Sequence, residues 1–300
     1  MYVIIGATGN TGSVIASKLL TNGKKVRVVG RSAEHLASLT SKGAEAFVAN
    51  ATDKNAITKA FAGAKAVYLM LPPDPATKDY FAYTNQLIDA YASAIEQNGV
   101  KYAVVLSSIG ADKPSKTGPI LGMRNLEQRL NKISSLNALY LRAAYFMENT
   151  LGQTDAIALM GYTAGPLNPD LKFPIIATRD IGDFAAGALE RLDFTGHQVQ
   201  DLFGQRDLTY REIATIIGNA MGKPDLKYVQ LTSEQFRGVL RQIGMSEETA
   251  RLLVEMTESM NSGHIAAVEP RSARNSTPTS YETFVKEVLL PIHNKKQKAA

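Results

Sequence analysis

Three hundred residues, 45% of them hydrophobic, are enough for one large domain, or a domain with a smaller appendage, around a substantial core. The absence of cysteine excludes disulfides, thiol nucleophiles and thiolate metal sites, and no stretch reads as a membrane span or secretory leader, so a cytoplasmic protein is expected. Of the net charge of +5, Lys295, Lys296 and Lys298 supply three units from a terminal "HNKKQKAA" that reads as a flexible basic tail over 293–300; the body is near neutral, and a nucleic-acid interface is not expected.

The first half alternates strands with helices. "YVII" (2–5) is a short β run, and "TGSVIASKLLTNG" (11–23) has helical spacing. "KVRVVG" (25–30) is a strand, followed by a helix over 32–43 with Ser32 as N-cap. Strands at 44–49, 64–71, 101–108 and 137–143 alternate with helices at 53–63, 76–98 and 122–133. Parallel strands need helical crossovers, and strands this apolar suit a sheet covered on both faces, so the fold class expected is α/β, a doubly wound parallel sheet of Rossmann type. Beyond residue 145 the pattern loosens. A helix over 180–192, a strand at 199–204, a capped helix at 208–222, a helical run over 233–260 and a stretch at 281–290 describe a smaller, mainly helical C-terminal part. The expected organisation is a dinucleotide-binding domain over 1–150, to which 176–204 returns, and a discontinuous second domain over 151–300.

"GATGNTG" places Gly6, Gly9 and Gly12 at every third position between the first strand and the first helix. In that setting the first glycine permits the tight turn, the second lets backbone approach a pyrophosphate, and the third lets helix and strand pack closely. The free N–H groups of the helix N-terminus face the phosphates, and Thr8, Asn10 and Thr11 are candidates to add side-chain hydrogen bonds. An NAD site usually carries an acid at the end of the second strand, where it binds the ribose 2′-hydroxyl. Here that place reads Gly30, Arg31, Ser32. Arg31 and Ser32 suit a 2′-phosphate, so NADP(H) is expected in preference to NAD(H). The "LMLPPDP" segment after the fourth strand brings Leu71, Pro72 and Pro73 beside the cofactor ribose and nicotinamide.

The chain resembles the NmrA-like branch of the atypical short-chain dehydrogenases. The likeness rests on "GATGNTG" (6–12), "SSIGAD" (107–112), "LRAAYFMEN" (141–149), "FPIIATRDIGDFAAGAL" (173–189) and "LTYREIATIIGNAMGKP" (208–224), and departs from the family's "LRP" with "LRA". It implies an NADP-preferring Rossmann domain and an interdomain cleft, in either a reductase of quinones and related compounds or a redox-sensing regulator with a protein partner. It also implies that Asn50 and Ala51, after the third strand, lie near the adenine.

The parent superfamily uses a Tyr with a Lys four residues on, the Lys lowering the phenol's pKa. None of the 12 tyrosines has that Lys. The helix expected to carry the pair reads "ILGMRNLEQRL" (120–130). Its Arg124 has too high a pKa to act as an acid, and Glu127 reads as a solvated carboxylate. Arg124 remains a candidate to contact a ribose. Ser107 and Ser108 end a strand where cofactors sit in open α/β sheets, so Ser107 is a candidate cofactor contact and Ser107, Ser108 and Arg124 are weak catalytic candidates; the two hydroxyls are equally readable as capping local backbone. A quinone needs less proton help than a ketone, because its product is an aromatic phenolate, so hydride transfer to an activated small-molecule acceptor in the cleft is expected. Tyr145, Phe146 and Asn149 belong either to the acceptor side or to the core. His35, His197, His264 and His293 are scattered, no metal is expected, and Arg271 and Arg274 read as solvated loop charges.

Overall fold

The computed structural model describes residues 1–299, with side-chain burial through residue 295. In chain order the first elements are β1 (Tyr2–Ile5), α1 (Asn10–Thr21), β2 (Val26–Gly30), α2 (Ala33–Thr40), β3 (Glu45–Val48), α3 (Lys54–Ala60), β4 (Ala66–Leu69), α4 (Tyr80–Asn98), β5 (Tyr102–Ser108), α5 (Ile120–Leu130) and β6 (Asn137–Ala143). There follow β7 (Tyr145–Phe146), a 3-10 turn over Met147–Gly152, α6 (Gln153–Met160), β8 (Thr163–Gly165), β9 (Phe173–Ile176), α7 (Thr178–Arg191) and β10 (His197–Leu202). The chain closes with β11 (Asp207–Leu208), α8 (Tyr210–Ala220), β12 (Tyr228–Gln230), α9 (Ser233–Gln242), α10 (Glu247–Asn261), α11 (Tyr281–Phe284), a π-turn over Val285–Leu289 and α12 (Leu290–Ala299).

Seven strands form one parallel sheet in the order β10-β6-β5-β4-β1-β2-β3. This is the Rossmann arrangement with one strand added beyond β6. The apolar strands bury both faces, as parallel strands between helices must. On one face Ile4, Val28, Tyr68 and Val104 pack with Ile15 and Leu19 of α1 and Ile181, Ala185 and Leu189 of α7. On the other, Val3, Val67, Val105 and Tyr140 meet Leu87 and Tyr91 of α4 and Leu126 of α5. A third cluster, centred on Phe173, Tyr210, Ile213, Tyr281 and Phe284, forms the mainly helical C-terminal part. Small sheets β11-β9-β7 and β12-β8 sit within it.

Several helix ends follow from local chemistry. Asp79 caps α4 by accepting from Ala82 N, so the helix begins at Tyr80 and 76–79 stays outside it. Thr209 and Glu212 cap α8 reciprocally. The run expected as one helix over 233–260 is broken: α9 ends at Gln242, Gly244 takes φ +90°, and Ser246 caps α10. The expected basic tail starts within α12, where His293 is buried; the side chains of residues 296–300 lie outside the described residues. Among the described residues no helix is long and apolar enough to cross a membrane, and no cluster of His, Asp and Glu suits a metal ion.

Candidate functional site

The strand order reverses between β1 and β4, and the crevice outside the carboxyl ends of the strands at that point is where α/β sheets hold ligands. The loops around it are residues 6–9, 31–32, 49–53, 70–79, 109–119 and the turn at Ala144.

The three glycines do different work. Gly6 takes φ +67°, and a Cβ there would stand 2.7 Å from Met70 Sδ. A Cβ on Gly12 would overlap the Gly6 carbonyl and stand 3.0 Å from Ala7 Cα, so α1 reaches the turn this closely only with glycine there. Gly9 differs. Its φ is −82°, and a Cβ would meet only the Gly6 carbonyl oxygen, at 3.3 Å. The turn requires glycine at positions 6 and 12 and favours it at position 9, where a Cβ would press on the carbonyl to which Gly9 N donates at 2.9 Å. Gly9 is also the N-cap of α1, with no side-chain cap and no acid in the first turn, so the positive end of the helix dipole is left for an anion. Thr8 and Asn10 are exposed beside it. Thr11 is buried, and its Oγ1 accepts from Tyr68 Oη at 2.8 Å, which leaves the hydroxyl its own proton to donate.

At the end of β2, Arg31 is exposed and, among the described residues, has no ion pair or hydrogen bond within the chain. Burial and Asp74 raise the pKa of the nearby Tyr83 phenol, and the Arg31 charge lies close enough to offset part of that rise. Ser32 holds the N-cap position of α2 but makes no side-chain cap, so its hydroxyl is not engaged by the helix. Asn50 Oδ1 accepts from Thr52 N at 3.2 Å and fixes the turn after β3, where Ala51 is half-buried. After β4, Tyr91 donates to the Met70 carbonyl at 3.1 Å and Tyr83 to the Pro72 carbonyl at 2.9 Å, pinning Leu71, Pro72 and Pro73. Arg31, Ser32, Asn50 and Ala51 thus stand on the β2–β3 side of the switch, and Ser107, Ser108 and Tyr145 on the β5–β6 side.

The groups considered as proton donors all have partners. Ser107 is buried and donates to Glu127 Oε1 at 2.6 Å. Glu127, expected as a solvated carboxylate, is 5% exposed and takes Arg142 Nε on Oε1 at 3.0 Å and Arg142 Nη2 on Oε2 at 2.6 Å. The carboxylates of Glu127, Asp112 and Asp201 hold the Arg142 pKa above its ordinary value against burial. Ser108 donates to the Ile109 carbonyl at 3.0 Å, and Arg124 to the carbonyls of Ala111 and Asp112 at 3.3 and 2.8 Å. Arg124 therefore braces the loop after β5. Asp112 Oδ1 is buried there without a hydrogen-bond partner.

The turn after β6 joins the two halves of the molecule. Phe146 packs against the sheet cluster and Tyr145 against the C-terminal one. The Tyr145 and Tyr210 hydroxyls share a hydrogen bond of 2.9 Å, and burial pushes the Tyr145 phenol upward despite that bond and one with Asn149, so it is no ready acid. Asn149 is exposed. Glu148, which the sequence reading did not single out, accepts from Thr178 N with both oxygens at 3.1 Å and from Thr178 Oγ1 at 2.5 Å. It thereby anchors the start of α7, and burial raises its pKa. Helix α10 is tied to two of the crevice loops: Ser246 N donates to Pro75 O at 2.9 Å, Gly118 N to Glu255 Oε1 at 3.1 Å, and Ser259 Oγ to Lys116 O.

The model of the NmrA-like family matches residues 2–285. The chain belongs to that family. It is 26% identical over 272 residues to the (4-alkanoyl-5-oxo-2,5-dihydrofuran-3-yl)methyl phosphate reductase of Streptomyces griseus, covering 90% of each chain. The NADPH-dependent quinone oxidoreductase of Escherichia coli, complexed with NADPH, superposes with a TM-score of 0.80 at 22% identity, over 96% of this chain and 99% of that one. NmrA, a negative transcriptional regulator in complex with NADP, superposes with a TM-score of 0.73 at 14% identity, over 98% and 97%. These solved structures share this chain's Rossmann-type fold.

Proposed function

We propose that the protein is an NADPH-dependent reductase that delivers hydride to a quinone-like or otherwise activated acceptor. The observation that carries the reading is a set of groups along one side of the crevice: the uncapped start of α1 at Gly9, and Arg31 and Ser32, whose side chains make no hydrogen bond or ion pair among the described residues. Pyrophosphate suits the first, and a ribose 2′-phosphate suits the charge and hydroxyl of the others. Asn50 and Ala51 flank the adenine end, and Leu71, Pro72 and Pro73 the ribose leading to the nicotinamide. Residues 1–150 with 176–204 form the NADP-binding part on this reading, and 151–300 the acceptor part.

When bound, NADPH supplies a hydride. The residues of this chain orient the acceptor and exclude water, and they offer no free acid: Ser107, Ser108, Arg124 and Tyr145 are all engaged. Such a site suits an acceptor whose reduced form is a stabilised anion that takes its proton from solvent, so catalysis is chiefly positioning. The reductase of Streptomyces griseus, named for a conjugated furanone, and the quinone oxidoreductase of Escherichia coli support this class. The test is anaerobic NADPH oxidation with 1,4-naphthoquinone and with cyclohexanone. Turnover of the quinone and none of the ketone is expected; efficient ketone reduction would overturn the argument from the missing acid. The likeness to NADP-bound NmrA favours a second reading, a dinucleotide sensor that contacts a regulatory protein, and tight NADPH binding without turnover of any acceptor would select it.

A further inference from the structure

The lysines that precede the central strands form a row at the amino end of the sheet, opposite the crevice. The register pairs Val26 of β2 and Ala66 of β4 with Tyr2 of β1, and Tyr102 of β5 with Ala66. Lys25, Lys65 and Lys101 each stand one residue ahead of those positions, and all three are exposed. Backbone bonds hold them there: Lys65 N donates to Met1 O and Tyr2 N to Lys25 O, both at 2.8 Å, and Asn137 N donates to Lys101 O at 2.9 Å. Neighbouring strands lie about 4.8 Å apart, so the row from Lys101 across β4 and β1 to Lys25 spans about 14 Å. The crossover helices run back against the strands. They bring Lys59, in the last turn of α3, and Lys132, just beyond α5, to the same end, and Lys24 stands beside Lys25.

None of these lysines makes a side-chain hydrogen bond or ion pair among the described residues. The carboxylates that the topology brings to this end are engaged elsewhere: Glu45 takes Arg27 at 2.8 Å, Glu96 takes Arg129 at 3.1 Å, Asp193 takes Arg191 at 2.9 Å and Glu190 takes Asn22 Nδ2 at 2.6 Å. Helix dipoles account for cations at the ends of α3 and α5. They do not account for Lys25, Lys65 and Lys101, which precede strands, and like charges side by side on neighbouring strands repel. We propose that this end of the sheet docks an acidic segment of a partner protein, whose Asp and Glu side chains lie along Lys101, Lys65 and Lys25. A nucleic acid fits less well. Bases find nothing to stack on, since Tyr2 and Phe61 are buried and the Tyr102 ring meets Phe194 edge-on. The chain outside its basic tail is near neutral, so carboxylates elsewhere balance these lysines, and a polyanion longer than the patch would run onto them. The row and the crevice lie at opposite ends of the strands, so the partner leaves the dinucleotide site open.

The probe is a fluorescein-labelled polyglutamate peptide of about twelve residues, read by fluorescence anisotropy at low salt beside a single-stranded DNA of the same length and label. Lys25→Ala, Lys65→Ala and Lys101→Ala together should weaken the peptide at least tenfold. Gln in place of Ala keeps the aliphatic stems and should lose binding alike. Lys223→Ala, Lys227→Ala and Lys286→Ala together remove the same charge from exposed lysines of the C-terminal part and should weaken the peptide less than twofold. The strand-entrance triple should keep its NADPH affinity within twofold by calorimetry, and its Tm should hold or rise as repulsion is relieved. Peptide binding that is absent in the parent, or that falls equally in the two alanine triples, would overturn the proposal. A Tm several degrees lower in the strand-entrance triple would assign the row to the fold and overturn it too. DNA bound more tightly than the peptide, and lost in the same triple, would make the partner a nucleic acid instead.

Discussion

Replacing Glu127 by Gln keeps the shape of the side chain and removes the charge that faces Arg142. The pair is nearly closed to solvent, with side-chain exposures of 12% and 7% for Arg142 and Glu127 and a closest approach of 2.6 Å. Removing one partner of a buried pair costs about 3–5 kcal/mol, because the other charge is left uncompensated. The Asp112 and Asp201 carboxylates still act on Arg142, which puts Glu127→Gln at the lower end, near 3 kcal/mol. An unfolding entropy of about 2.1 cal/mol/K per residue, taken over 300 residues, turns this into a fall in Tm of about 5 °C. Differential scanning calorimetry at pH 7 is the assay. Adding Arg142→Met to Glu127→Gln should restore most of the loss, because the stranded charge then disappears with its partner. A Tm within 1 °C of the parent for the single variant, or a double variant no more stable than the single, would refute the view of Glu127 and Arg142 as a buried ion pair.

Gly12→Ala should fail to accumulate as folded protein or lose several degrees in Tm, whereas Gly9→Val should lose less in Tm and lose NADPH affinity; equal thermal losses in the two would show that the glycines are not divided between fold and ligand. Arg31→Ala removes a charge-assisted contact with an expected contribution of about 1.5–3 kcal/mol, so NADPH affinity should fall roughly ten- to a hundredfold. NADH affinity should scarcely change, and calorimetry with both cofactors decides, since equal losses would place Arg31 away from the 2′-phosphate. Burial raises the Glu148 pKa, so this group's contribution to stability is fully present below its unfolded value and is lost as pH rises through the folded value. The Tm of the parent minus that of Glu148→Gln should therefore become more positive from pH 7 to pH 5; a difference that shrinks over that range would reverse the assigned sign.

The parallel sheet was legible because two signals agree: apolar runs of strand length, and helical spacing between each pair of them. The glycine turn was legible from its place after β1. Glu127 was not. Read along its own helix it is one more carboxylate, and its burial is decided by β6, which brings up Arg142. The signal lay in that strand, where an arginine interrupts the apolar run "NALYLRA" and a buried guanidinium requires an acid. The bond of Thr11 was not legible for a similar reason: its partner Tyr68 lies three strands further along the chain, and burial of that phenol is a tertiary fact. Strands of two residues, such as β7 and β11, carry no periodicity and exist only through β9. The break between α9 and α10 was visible in principle, as Gly244 followed by a Ser at the cap position, but the amphipathic pattern on either side masked it.

The return of the chain to its first sheet has a consequence for cutting and recombining proteins of this design. Strand β10 pairs with β6 along six residues, and α7 covers the face occupied by α1. The fit there is tight enough that a Cβ on Gly182 would stand 2.7 Å from Val14 Cβ. A fragment ending near residue 150 would keep the groups proposed to face the dinucleotide, yet strip the lid from Ile15 and Ala16 and leave β6 as a raw apolar edge. Neither half is a cassette. Exchange with a relative must take the segment from α7 to β10 together with the first 150 residues, and the loop joining β10 to β11 is the later of its two seams.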